Sequence, residues 1–249
     1  MPNHQLKVRT FQPSDTAAIH RIFAQGIAEP ISLGFRRAVS LPKTVALGSV
    51  GPLAATTLCT QFLRSSTSGL FKRALIVGVL GSAAWAGSLI GLLYWHIRGG
   101  YQSYIAWSLG ADLKDIKEYY RLEEIECDGG ARQLVPTSDS QFWVCTLDEE
   151  VVGFVALDYQ VQADGSKTWE LRRMIVSSQH RRMGIAQLLI QTLLDWAKER
   201  GATNVHLMTS EMQHGAMKLY ERFGWKEESR VKLMYGIDGV NYRLNLHHV

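Results

Sequence analysis

Apolar residues recur along this chain at two periods, and the places where one gives way to the other mark out its elements. Leu6, Val8, Thr10 and Phe11 suit a short strand; Pro13-Ser14-Asp15 then starts a helix on which Ile19, Ile22, Phe23 and Ile27 share a face. Two strands come much later, Phe142 to Leu147 and Val151 to Tyr159, joined by the acidic turn Asp148-Glu149-Glu150, and Asp164-Gly165 turns the chain into a further strand over 168–176. Ile185, Leu189, Leu193 and Ala197 recur at steps of four, which predicts a helix that Arg200-Gly201 stops. A strand from Asn204 to Thr209, a helix after Gln213, and a hairpin of 231–235 and 240–246 around Gly236-Ile237-Asp238-Gly239 complete the series. Asp112 to Tyr120 reads as a short helix, and 123–140 as an exposed loop. Helices and strands interleaved in this order predict an α/β domain with a mixed sheet (α+β).

One stretch breaks both periods. Ala74 to Trp95 runs for 22 residues without a charge, about 33 Å as a helix, enough to cross a hydrocarbon core. Lys72-Arg73 before it and Tyr94, Trp95, His96 and Arg98 at its end suit the two interfaces. A soluble core helix of this length ordinarily shows a polar face, and this one offers only Ser82 and Ser88. The upstream run from Thr44 to Leu63 is also uncharged but contains Pro52 and several polar residues. Residues 6–28 belong with 140–246, so the chain must leave their compartment and return to it, and a hairpin of 44–63 and 74–95 is expected rather than a single crossing. Full crossing would place Arg64, Lys72 and Arg73 on the far side, against the positive-inside tendency. The expected organisation is a folded domain of residues 1–30 and 106–249, a membrane-associated insertion over 31–105, and a lipid membrane as partner.

At 249 residues, 46% hydrophobic and 20% charged, the chain can bury one good core and still carry this appendage. A formal charge of +4 with dispersed basic residues predicts no nucleic-acid surface. Cys59, Cys127 and Cys145 are odd in number and widely spaced, which suggests neither disulfides nor a metal site and suits a reducing compartment. Met1 to Thr10 is polar and mixed, unlike a secretory signal.

The chemistry concentrates around Glu170 to Gly184. The strand ending at Val176 passes through Ser177–His180 into Arg181-Arg182-Met183-Gly184-Ile185-Ala186, where a helix begins. Such a turn directs free backbone N–H groups and the positive end of a helix dipole at one spot, with charge added by Arg181 and Arg182, which makes a site for phosphate. Basic glycine-containing turns are common, and the spacing is what distinguishes this one. Arg181-x-x-Gly184-x-Ala186 resembles the R/Q-x-x-G-x-G/A acyl-CoA loop of the GNAT N-acetyltransferase superfamily. Gln213-x-x-Ala216-x-x-Leu219-Tyr220-Glu221-x-x-Gly224-Trp225 resembles its N-x-x-A-x-x-L-Y-E-x-x-G-F helix, with Gln for Asn and Trp for Phe. The resemblance implies the GNAT fold, no metal, and acetyl-CoA as cosubstrate. It would be held by Met174, Ile175 and Val176 of the strand, by Arg181, Arg182, Met183, Gly184, Ile185 and Ala186 of the turn, and by Gln213.

Further segments are similar to camello-like N-acetyltransferases, a membrane-bound group that acetylates aspartate or cysteine S-conjugates: Gly26-Ile27-Ala28-Glu29-Pro30, Phe35-Arg36-Arg37, Leu41-Pro42-Lys43, Asp112-x-x-Asp115-Ile116 and Gln141-Phe142-Trp143-Val144. Acetyl transfer is attack of an amine on a thioester, and a free α-amine with pKa near 8 is about a tenth deprotonated at pH 7, so a modest base suffices. Glu170, fourteen residues before Gly184, is the candidate base; its structural alternative is a solvated pair with an arginine. Tyr220, placed by the family motif, is the candidate partner of the departing thiolate, or else a core tyrosine. Arg173 is expected to meet an acceptor carboxylate, and strand alternation puts it opposite Arg172 and Met174; it would otherwise be a structural ion pair. Glu29 and Asp112 match acidic positions of the family and are expected to hold an ammonium or order the site. These readings imply an amino acid or S-substituted cysteine as acceptor and an endoplasmic-reticulum location with the catalytic domain facing the cytosol. A protein lysine or N-terminus, and a non-catalytic acyl-CoA-binding protein, are the alternatives.

Overall fold

The computed structural model describes residues 5–63, 68–126 and 132–246. From the start, β1 (Leu6–Thr10) leads through a 3₁₀ turn into α1 (Thr16–Ala28), followed by α2 (Ile31–Val39), α3 (Pro42–Leu63) and α4 (Ser68–Gly110). After α5 (Ile116–Tyr119) come β2 (Leu122–Glu126), β3 (Arg132–Pro136), β4 (Gln141–Leu147), β5 (Glu150–Val161) and β6 (Lys167–Val176). The rest is α6 (Ile185–Glu199), β7 (Asn204–Ser210), α7 (His214–Arg222), β8 (Lys226–Met234) and β9 (Ile237–Asn245). These elements form two compact units: Met1–Pro30 with Gln102–Leu233 and Asp238–Val249, and Ile31–Tyr101 with Met234–Ile237.

The first unit is built on a seven-stranded sheet in the order β1-β4-β5-β6-β7-β9-β8. Its neighbours β1–β4, β4–β5, β5–β6 and β7–β9 are antiparallel, whereas β6 and β7 run parallel because α6 carries the chain between them. Each face of the sheet has its own core. On one, Leu189, Leu193 and Ala197 of α6 pack with Val155, Leu171 and Val205; on the other, Ile19, Ile22 and Phe23 of α1 pack with Phe142 and Phe154. The four-residue repeat of α6 is thus a buried stripe, and each large aliphatic on it is worth about 1.5–3 kcal/mol relative to an exposed one.

Two stretches differ from the sequence expectation. The exposed loop over 123–140 gives way to an antiparallel pair, β2 with β3, in which Leu122 lies opposite Pro136 and Ile125 opposite Gln133; 127–131, with Cys127, lie outside the described residues. Glu123, Glu124 and Glu126 hide the strand in the sequence, while Leu122 and Leu134 anchor it in the core. The helix expected over Asp112–Tyr120 is only the four residues of α5, since α4 continues to Gly110 and Asp115 caps α5 by accepting from the Glu118 N–H. Asp112 therefore sits, buried, in the turn between two helices.

In the second unit α3 and α4 are packed together. A Cβ on Gly51 would come within 2.8 Å of Trp85, and the Trp85 Nε1–H donates to the Leu47 carbonyl at 3.0 Å. Lys72–Gly110 within α4 is long and apolar enough to cross a membrane. Between Ala74 and Trp95 it exposes large apolar side chains, with Val77 70% and Trp95 71% exposed, while Lys72, Arg73, His96 and Arg98 are exposed at either end of that run. Pro52 lies inside α3, which does not reach that standard among the described residues. Arg64 falls outside them.

Candidate active site

β6 carries the site, and a bulge sets its geometry. The register between β5 and β6 runs Phe154 opposite Ile175 and then Ala156 opposite Arg172, so β6 contains one residue more than its partner. Arg173 lies in this bulge with φ +57°, a left-handed backbone that costs a non-glycine residue about 1–2 kcal/mol. The alternation expected at Arg173 is therefore corrected. Arg172, opposite the α1-side residue Ala156, and Arg173, whose guanidinium lies 5.3 Å from the Phe23 ring, share the α1 face, while Leu171 and Met174 face α6.

The parallel neighbours β6 and β7 pair only at Glu170 and His206 among the described residues. Beyond that point β6 continues to Val176 paired with β5, and β7 to Ser210 paired with β9, but among the described residues the two do not pair with each other, which leaves a wedge open towards their C-terminal ends. The turn before α6 stands at its wide end. Arg182 (φ +65°) and the helix-capping Gly184 (φ +80°) bend the backbone, and the N–H groups of Arg181 to Gly184 have no acceptor among the described residues. Ile185 and Ala186 begin the first turn, whose N–H groups have no intrahelical partner. The Ile185 side chain is buried in the core, so its backbone alone is available. Arg181 is joined through both Nη atoms to Glu29, which holds that carboxyl below its usual range; Arg182 and Met183 are exposed. Gln213 precedes α7 and accepts from the Thr209 hydroxyl at 2.7 Å.

Glu170 lies at the apex of the wedge and lines a cavity of about 190 Å³ with His206, Met208, Glu228, Asn241 and Tyr242. Loss of hydration raises its carboxyl above the ordinary value; Arg172, with Nε 3.7 Å away, opposes this and Asp158 reinforces it. Burial, then Arg243, lowers the imidazole of His206, so it is neutral near pH 7. Tyr220 is 5% exposed with its ring against Trp225 and Tyr242, and burial raises its phenol well above the usual value.

Beside Glu170 is a charged cluster that the sequence showed only in part. Asp112 accepts from Arg173 Nε (2.8 Å) and Nη2 (2.5 Å) and from the Tyr120 hydroxyl (2.9 Å). Arg173 Nη1 donates to Ser108 (2.8 Å) and Tyr104 (3.0 Å). Asp112 thus fills the fork that the sequence reserves for an acceptor carboxylate. Arg172 Nη1 donates to Asp158 (2.9 Å) and to the Tyr119 hydroxyl (2.7 Å). Asp158 was the legible signal that sequence reasoning passed over, a carboxylate at the end of the apolar run of β5. No group of three or more His, Cys, Asp or Glu side chains among the described residues is arranged to hold a metal.

Residues 103–225 match the model of the acetyltransferase (GNAT) family. N-acetyltransferase 8F1 of Rattus norvegicus is 31% identical over 221 residues, 88% of this chain and 86% of that protein. N-acetyltransferase 8 of Homo sapiens is 30% identical over 88% of this chain and 84% of its own length. A GNAT-family acetyltransferase structure from Staphylococcus aureus Mu50 superposes with a TM-score of 0.51 over 97% of this chain and 99% of its own, at 12% identity, which shows the fold. The chain belongs to the GNAT acetyltransferase family, with the N-acetyltransferase 8 proteins among its relatives. It is an acetyl-CoA-dependent acetyltransferase.

Proposed function

We propose that this enzyme transfers the acetyl group of acetyl-CoA to the amine of a small carboxylate-bearing acceptor, an amino acid or a cysteine S-conjugate. The observation that carries the reading is the wedge between β6 and β7, with Glu170 at its apex and free N–H groups at its mouth. Met174, Ile175 and Val176 present to the pantetheine amides the strand edge that β7 leaves open, Arg182 to Ala186 take the pyrophosphate, and Gln213 closes the α7 side. Glu170 accepts a proton from the acceptor ammonium, directly or through water. The freed amine attacks the thioester carbonyl, its nitrogen gives up a further proton to solvent, the tetrahedral intermediate expels the thiolate to leave the amide, and Tyr220 donates a hydrogen bond to the departing sulfur. A phenol raised by burial is a poor proton donor, so solvent supplies the proton that completes the CoA thiol.

With Asp112 in the Arg173 fork, Arg172 is the guanidinium left to meet the acceptor carboxylate, since its Nη2 makes no hydrogen bond among the described residues. The same occupied fork favours a second reading, a protein lysine or N-terminal amine that brings no carboxylate. The experiment offers the purified full chain amino acids, their carboxyl amides, cysteine conjugates and peptides alongside acetyl-CoA. The first reading expects free amino acids or conjugates to react at least tenfold faster than their amides, and equal rates would support the second. We further propose that α3 and α4 form a hairpin in the endoplasmic-reticulum membrane with the first unit in the cytosol, supported by the exposed apolar side chains of α4 between Leu75 and Trp95.

A further inference from the structure

The pair formed by Arg173 and Asp112 has the chemistry of a fixture. Both are buried, at 8% and 1% exposure, and four of the five guanidinium N–H groups are committed to Asp112, Ser108 and Tyr104. Three aromatic rings surround what remains: Phe23 at 5.3 Å, Tyr104 at 5.7 Å and Trp107 at 5.7 Å from the guanidinium carbon. An unpaired charge in such a place is strongly unfavourable, so neither partner can leave the other to follow a substrate. Arg173 is also the residue whose backbone is left-handed at the bulge. Without a tether a strand residue relaxes to the extended region, the extra residue is taken up elsewhere, and β6 regains the straight edge that pairs with β7.

We propose that Arg173 and Asp112 are positioning residues for the cofactor cleft: their buried bidentate pair, anchored by the last turns of α4 and by Tyr120, pins the β6 bulge and so keeps the wedge open for the acyl-CoA thioester. Neither touches the reacting atoms. The inference rests on the reading that acetyl-CoA lies in that wedge, and it moves Arg173 from acceptor recognition to cofactor placement. It also explains why a guanidinium is needed, because a fork held at both ends fixes orientation about the strand axis and an ammonium does not.

The test uses the full chain in detergent, with acetyl-CoA affinity, KM for each substrate, kcat and Tm measured for the parent, Arg173→Lys, Asp112→Asn and the apolar double variant Asp112→Leu/Arg173→Met. The double variant removes both charges together, a change that buried pairs often tolerate in stability. Binding of acetyl-CoA by the parent checks the underlying reading independently. Arg173→Lys is expected to raise the acetyl-CoA dissociation constant at least tenfold, and the double variant, folded, to do the same. The increase in acceptor KM should be equal for carboxylate-bearing and amidated acceptors. Acetyl-CoA affinity unchanged in a folded variant would overturn the proposal. So would a KM increase confined to carboxylate-bearing acceptors, which would return Arg173 to the acceptor, or loss of the folded state in all three variants, which would assign the pair to global stability.

Discussion

Glu170 stands opposite His206 at the one described pairing of β6 with β7, so the candidate base occupies the apex from which the two strands diverge. In the proposed function the thioester ends there, and an amine reaching it meets a carboxylate whose pKa burial has raised. This position gives the pH dependence its sign. Only the ionised carboxylate accepts a proton, and a raised pKa keeps Glu170 protonated at pH values where an ordinary glutamate is already charged. The rate should climb as pH rises through that value. Glu170→Gln should abolish this limb and lower kcat about a hundredfold or more, leaving the limb near pH 8 that belongs to the amine. A pH–rate profile with both limbs in the variant would remove Glu170 from proton transfer.

Gly184 caps α6 with φ +80°, where a side chain is strained, and it sits among N–H groups that have no acceptor among the described residues and that the proposed function assigns to the pyrophosphate. Gly184→Glu adds both strain and a negative charge at the positive end of the helix. The acetyl-CoA dissociation constant should rise at least tenfold, with Gly184→Ala between variant and parent. Titration calorimetry on the folded proteins measures it.

Tyr220 is buried against Trp225 and Tyr242, and its raised pKa makes it a hydrogen-bond donor rather than a proton source. Tyr220→Phe keeps the ring packing and removes the hydroxyl. One hydrogen bond to a charged group is worth about 1.5–3 kcal/mol, so kcat should fall roughly ten- to a hundredfold while Tm and acetyl-CoA KM change little. A kcat equal to the parent's would make Tyr220 a core residue only.

In the proposed membrane hairpin, the uncharged run of α4, with Val77, Leu80 and Trp95 exposed, would lie against lipid. Full-length protein in isolated membranes should stay with the pellet through an alkaline carbonate wash. Recovery in the supernatant would contradict the hairpin.

Periodic signals carried most of this structure. The stripe of Ile185, Leu189, Leu193 and Ala197, the strand over 168–176 and the turn at Gly184 are all local, and the structure shows each where the sequence predicts it. What was not legible depends on pairing. The bulge at Arg173 has no residue signature, since neither glycine nor proline marks it, and it reverses the face on which Arg173 points. The partnership of Arg173 with Asp112, 61 residues away in the chain, and of Arg181 with Glu29, 152 away, joins positions that the sequence singled out separately. The β2–β3 pair was hidden by its glutamates, and α2 by the small buried residues Gly34 and Ala38, which add little to a hydrophobic period.

The central claim, acetyl transfer at the apex of the β6–β7 wedge, is tested most directly by amine-dependent release of CoA thiol from acetyl-CoA, with parent and Glu170→Gln compared across pH and the acetylated amine identified by mass. The parent should release one thiol per acetylated amine, and the Gln variant should bind acetyl-CoA as tightly yet turn over about a hundredfold more slowly. Tight acetyl-CoA binding with no thiol release for any amino acid, cysteine conjugate, polyamine or peptide would contradict the account and leave a protein that holds acyl-CoA without using it.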